Sequence, residues 1–134
     1  MSWMRSAIPI LALIQGGWLA FDGLHAFTRG DYVTPRSGAH DGQLGPWAQV
    51  VSAVGIEPRS TLMRSVHVLL GAAWLVAAVG FLLRASWSRR ALLLSAIASM
   101  WYLPFGTMMS LAVLILLTRA TLRTSSGSQR ADLP

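Results

Sequence analysis

Hydrophobic residues run along this chain in long, nearly unbroken blocks instead of recurring at every second, third or fourth position as in a half-buried strand or amphipathic helix. The first block, about 7–27, is entered after Arg5 and left through Asp22, His25 and Arg29. At 1.5 Å of rise per residue it crosses the roughly 30 Å of bilayer hydrocarbon. A secretory signal peptide has the same basic start and apolar core. Here no small-x-small cleavage site follows, and Trp18 and Phe21 read as interfacial anchors of a retained helix. The second block, 61–83, carries Gly71, Ala72, Ala73, Ala77, Ala78 and Gly80. Small residues let helix backbones approach closely in lipid, so this span is expected at the centre of packing.

The remaining apolar stretch is interrupted at Trp101, Tyr102, Leu103, Pro104, Phe105 and Gly106. It reads either as one long Pro-kinked helix or as two spans, 88–103 and 105–119, joined by a tight turn. The hairpin is preferred, because a single helix would overshoot the hydrocarbon and because Trp101 and Tyr102 then fall at an interface. Between the first two spans lies a loop, 28–60, rich in Gly, Pro, Asp and Ser. Within it, Pro46 followed by Trp47, Val50, Val51 and Val54 and a stop at Gly55 predicts a short amphipathic helix lying on the membrane or capping the bundle. Pro58 and Ser60 open the next helix. The fold class is therefore an all-α membrane protein, a four-transmembrane-helix bundle over 1–120 with a long outer loop containing a short amphipathic helix. A polar, disordered cytoplasmic tail, 121–134, follows.

Composition agrees: of 134 residues, 54% are hydrophobic and only 12% charged, against about 25% charged in soluble domains. Disordered chains and most soluble folds are excluded. With no Cys, thiol catalysis, Cys-ligated zinc and disulfides drop out. The net charge of +6 comes from 11 basic residues, all Arg. Most of them bracket the apolar blocks, where they meet lipid phosphate, so nucleic acid is not the expected partner. With both termini cytoplasmic, Arg5, Arg84, Arg89, Arg90, Arg119, Arg123 and Arg130 lie inside and Arg29, Arg36, Arg59 and Arg64 outside, the bias of the positive-inside rule. Exclusive Arg usage and abundant Ala fit a GC-rich bacterial genome, hence a bacterial inner (plasma) membrane.

Pro104, Phe105, Gly106 and Thr107, followed by the apolar run to Leu117 and Arg119, resemble the turn that opens the last helix of many small bacterial four-span membrane proteins. The first span, with Gly16, Gly17, Phe21 and Gly23 ahead of a polar loop, is similar in outline to DoxX-like proteins. Their loop is more compact. The resemblance implies the four-span architecture and no particular activity. Physically, Pro has no N–H to leave unpaired in a first turn, Gly allows a close corner, and Thr can bond back to a carbonyl.

Ionisable groups inside a bilayer are costly, so each is a candidate for function. Asp22 and His25 share the outer end of the first span, and Arg64 and His67 that of the second. In an antiparallel pair these form one polar cluster, with Asp22 reaching Arg64 or His67 and His25 facing His67. As a structural network the cluster pins two helices and the loop together. As a ligand set, His67 and perhaps His25 would bind haem, chlorin or quinone, although no cofactor is favoured. Asp22, His25 and Gln15 would otherwise mark a solute path. Asp31, His40, Asp41 and Glu57 read as turn formers, and no metal site is expected. Trp18, Trp47, Trp101 and Tyr102 are assigned as interface anchors. No Walker loop, GxSxG elbow, HExxH helix or dinucleotide fingerprint occurs, so no catalytic residue is assigned. The expected function is non-catalytic: an accessory or assembly subunit packing against a larger membrane complex or against itself. A haem-, chlorin- or quinone-binding bundle and a small transporter or channel are the alternatives.

Overall fold

The computed structural model describes residues 2–131. They form five helices and, among the described residues, no strand: α1 (Ser2–Arg29), α2 (Trp47–Ala53), α3 (Thr61–Leu82), α4 (Ser88–Ala98) and α5 (Phe105–Ala131). Three of them, α1, α3 and α5, are long and apolar enough to cross a membrane. The 22 residues of α3 reach about 33 Å, whereas the 11 of α4 reach only about 16 Å. The outside of the helices is apolar, with Leu69, Val76 and Leu94 more than half exposed, while Gln15, Ser95, Ser99 and Ser110 are buried. That inversion suits contact with lipid, where polar side chains must find their partners inside.

The antiparallel pair α1 and α3 makes the most extensive packing. Small residues set the distance: a Cβ at Gly71 would collide with the backbone of Ala20, and one at Gly16 would stand 2.7 Å from the Cβ of Trp74. The small-residue face of α3 is thus consumed within the chain. Helix α3 starts where Ser60 accepts a 3.3 Å hydrogen bond from the Met63 N–H, satisfying one of the orphan donors of the first turn.

Helices α4 and α5 form a hairpin instead of one kinked helix, but of the two only α5 is long and apolar enough to cross a membrane. Helix α4 stops at Ala98, the chain turns irregularly through 99–104 with a cis Leu103–Pro104 bond, and α5 packs back along α4. The Thr107 hydroxyl donates to the Met100 carbonyl at 2.7 Å and closes the turn. Helices contact in the order α1, α3, α4, α5 and back to α1. Of the expected third span, 88–103, only Ser88–Ala98 is α-helical: Pro104 bars a regular helix from Met100 onward, and the chain leaves the helix already at Ser99, whose hydroxyl accepts the Trp74 indole N–H.

Helix α5 extends beyond the expected end at 119. Residues 121–131, expected to be disordered, are helical. The hydroxyls of Thr124, Ser125 and Ser126 bond carbonyls one turn back at 2.8, 3.3 and 3.1 Å, so these polar residues satisfy their donors without leaving the helix. Residues 132–134 of the expected tail lie outside the described residues.

The two ends of the molecule differ. At one, Arg5, Arg84 and Arg89 line a cleft floored by Met4, Ile8 and Phe81 and reaching Thr124. At the other, the loop 30–60 folds over the crown of the short hairpin. Helix α2 begins after Pro46 as expected and takes the capping position rather than a place on the membrane surface, with Trp47 and Val51 buried. Apolar bulk that α4 is too short to supply at this end is supplied by the loop.

Candidate functional site

His67, on the second turn of α3, is completely buried. Its Nδ1 lies 2.8 Å from the Met63 carbonyl oxygen. A carbonyl only accepts, so Nδ1 carries the hydrogen, and a neutral ring presents a lone pair at Nε2. That nitrogen has no hydrogen-bond partner. Four aromatic rings enclose the imidazole: Tyr32 at 4.7 Å between centroids, Trp47 at 4.8 Å, and Trp101 and Tyr102 at 5.5 Å each. These rings also touch one another, Tyr32 meeting Trp47 edge-on at 5.2 Å and Trp101 meeting Tyr102 at 5.5 Å. Loop, α2, α3 and the hairpin turn each contribute to the box.

Next to it, behind the Tyr102 ring, lies a chamber of about 190 Å³ walled by Trp18, Asp22, Tyr32, Trp47, Tyr102 and Phe105 together with loop residues. Asp22 is 3% exposed. One carboxylate oxygen accepts the Val33 N–H at 2.8 Å, and the Tyr102 hydroxyl stands 3.5 Å from the other. That hydroxyl in turn accepts the Trp18 indole N–H at 2.8 Å. Trp18 is partly exposed, so chamber and lipid-side surface share a wall. Tyr32 donates its hydroxyl to the Pro58 carbonyl at 2.9 Å. Burial of this ring pushes the phenol up to about 12, against a smaller downward pull from Arg64.

Asp22, His25, Arg64 and His67 gather at one end of the molecule, as expected, but they do not bond one another. Asp22 takes the loop at Val33, Arg64 donates to the Gly30 carbonyl at 2.8 Å, and His25 Nδ1 bonds the Asp31 carbonyl at 2.8 Å. The cause is the loop itself: residues 30–33 follow directly on α1, and their backbone groups need partners as much as the side chains do. Further out, Arg59 pairs with Asp31 at 3.0 Å and donates to the Gly42 carbonyl. His40 bonds Gln43, and among the described residues no three His, Asp or Glu side chains come together as a metal-holding group.

The assignment of interface anchors is corrected for two residues. Trp47 and Tyr102 are 4% and 5% exposed and belong to the core, Trp47 packed against other rings and Tyr102 with its hydroxyl bonded internally to Trp18. Trp101 is half-buried against them, and Trp18 keeps an exposed face. A tetrapyrrole or quinone on His67 does not fit this arrangement, since four rings close the space such a group would occupy. His25 turns away to Phe21 and the Asp31 carbonyl. Tyr32 is not among the expected site residues; its signal in the sequence is an aromatic side chain within a run of turn formers, between Gly30, Asp31 and Pro35.

Compared with known proteins, the chain matches no family model, no curated protein and no solved structure. Fold and site define an all-helical protein with three helices able to cross a membrane and a cap at one end lined by aromatic rings and a carboxylate.

Proposed function

We propose that the chain is a non-catalytic, multi-pass protein of a bacterial inner membrane, a four-helix transmembrane bundle with both termini cytoplasmic, acting as an accessory or assembly subunit of a larger membrane complex. The observation that carries this reading is how the loop-end polar groups are used. Asp22, His25, Tyr32, Arg59 and Arg64 each bond a backbone group or a neighbouring loop side chain, which turns a long loop into a rigid cap suited to docking rather than to turnover. Arginines concentrated at the opposite end support its assignment to the cytoplasm. In this reading α4 covers about half of the third pass, the chain turns back at the depth of Trp18, and the loop fills the remaining space above the turn. The DoxX-like outline of the first span and the likeness of the Pro104–Thr107 turn to that of small four-span proteins are consistent with this architecture.

Purification in a mild detergent tests the subunit reading: a co-purifying membrane protein in fixed ratio is expected, and a lone stable monomer overturns it. A reporter fused after residue 134 should face the cytoplasm; one on the outer face overturns the four-pass topology.

A second reading, a small transporter, is favoured by one observation. Both polar atoms of Gln15 and the Ser110 hydroxyl are buried in the core without a hydrogen-bond partner, and such groups line solute or proton paths in membrane proteins. Flux into vesicles that survives unchanged in Asp22→Asn and Gln15→Leu would exclude it.

A further inference from the structure

We propose that the chamber beneath the loop cap binds a small organic cation, a quaternary or otherwise methylated ammonium group, with Asp22 as counter-charge and Trp18, Tyr32, Trp47 and Tyr102 as aromatic walls. The inference is independent of the accessory-subunit reading and stands or falls on its own experiment.

Asp22 is a nearly inaccessible carboxylate that makes no direct ion pair, His25 one turn along α1 acting on it only at a distance. The one ion pair among the described residues is Arg59 with Asp31. The basic side chains around the cap make their hydrogen bonds to the loop and not to Asp22: Arg64 to the Gly30 carbonyl, Arg59 to Asp31 and the Gly42 carbonyl, His25 through Nδ1 to the Asp31 carbonyl. A buried carboxylate carrying charge without a counter-ion is expensive, and a bound cation removes that cost. The chamber wall contains no Arg or His, so nothing in it would hold an anion. Aromatic faces attract cations through the ring quadrupole and do so best when desolvated.

The wall also selects among cations. A hard metal ion wants about six oxygen ligands, and the side chains of the chamber offer one carboxylate and two tyrosine hydroxyls, both hydroxyls already engaged. A primary ammonium must place three N–H donors, while both oxygens of Asp22 already accept donors from the protein. A methylated ammonium has few or no N–H groups to satisfy and presents a diffuse charge to the rings. Size agrees: about 190 Å³ is below the roughly 300–1,000 Å³ of sites for drug-sized ligands. Trp18 and Phe105 line both the chamber and a neighbouring apolar groove formed with Leu13, Ile14 and Phe21, so two movable side chains separate the two spaces.

The test uses the full chain in a maltoside detergent, which carries no ammonium group, with tryptophan fluorescence as the readout, because Trp18 and Trp47 line the chamber. Choline and tetramethylammonium should give a saturable change, and the neutral isostere 3,3-dimethylbutan-1-ol should bind at least about tenfold more weakly if charge is recognised. Asp22→Asn, which keeps an acceptor for the Val33 N–H, should weaken choline at least about tenfold with the thermal midpoint preserved. Should that variant fail to fold, Phe105→Leu at the exposed mouth, expected to weaken choline without unfolding, provides the second test. Absence of a saturable response, equal response to the neutral alcohol, or unchanged choline affinity in a folded Asp22→Asn or Phe105→Leu protein overturns the proposal.

Discussion

The indole N–H of Trp74 donates a 2.8 Å hydrogen bond to the hydroxyl of Ser99, and both side chains are completely buried. The bond joins the middle of α3 to the residue that ends α4, so it locates the hairpin turn along the longer pair of helices. Ser99→Ala leaves a buried indole donor unpaired, which costs on the order of 1–3 kcal/mol. A lowered thermal midpoint in detergent is expected; an unchanged one would mean that the bond contributes nothing to stability.

Two glycines of similar sequence setting should behave oppositely. A side chain at Gly71 meets the backbone of Ala20, whereas nothing lies within 4 Å of a Cβ at Gly17. Backbone cannot give way as a flexible side chain can, so Gly71→Val should separate α1 from α3 at a cost of about 1–3 kcal/mol or more. Gly17→Ala should be tolerated. Comparing the folded yields of the two variants by size-exclusion chromatography checks this, and equal yields would contradict the packing described.

Alkaline pH should loosen the cap. Burial raises the Tyr32 phenol from 10.0 to about 12, so the folded state favours the neutral form. The associated stability is fully present below pH 10 and is lost as pH rises through 12. In a Tyr102→Phe background, which leaves Tyr32 as the sole tyrosine, near-ultraviolet absorbance should report ionisation near pH 12, moving towards pH 10 on unfolding. Ionisation near 10 in the folded protein would show that Tyr32 is solvated.

Arg59 and Asp31 are 43% and 40% exposed, and their pairing should be weak despite its 3.0 Å length. A double-mutant cycle with Arg59→Ala and Asp31→Ala should return a coupling below about 1 kcal/mol, reduced further by salt. Arg64 differs, because its Nε is buried without a partner while its terminal nitrogen holds the Gly30 carbonyl. Arg64→Met should therefore loosen the start of the loop more than Arg59→Ala does, measured by proteolysis at residues 36–42.

Much of the candidate site could be placed from the sequence but not assembled from it. Asp22, His25, Arg64 and His67 were assigned to one end of the molecule on spacing alone, and they lie there. Their partners were not foreseen, since each bonds a loop group, and the loop's path depends on where α2 docks. The enclosure of His67 draws Tyr32, Trp47, Trp101 and Tyr102 from three segments distant in sequence from α3. No periodicity along one segment carries that information.

Hydropathy by itself determined that this chain is helical with membrane-length apolar runs, because whether a stretch can sit in hydrocarbon depends on the residues within that stretch. Local chemistry likewise set the Ser60 cap and the break at Pro104, where hydrogen bonding and sterics act over four residues or fewer. Tertiary structure alone decided that α4 stops short, that the loop fills the space left above it, and that Trp47 and Tyr102 lie in the core instead of at an interface. Those outcomes come from competition for buried volume and for hydrogen-bond partners between segments far apart in the chain. The result is a buried carboxylate facing an aromatic chamber, a juxtaposition that only the folded chain creates.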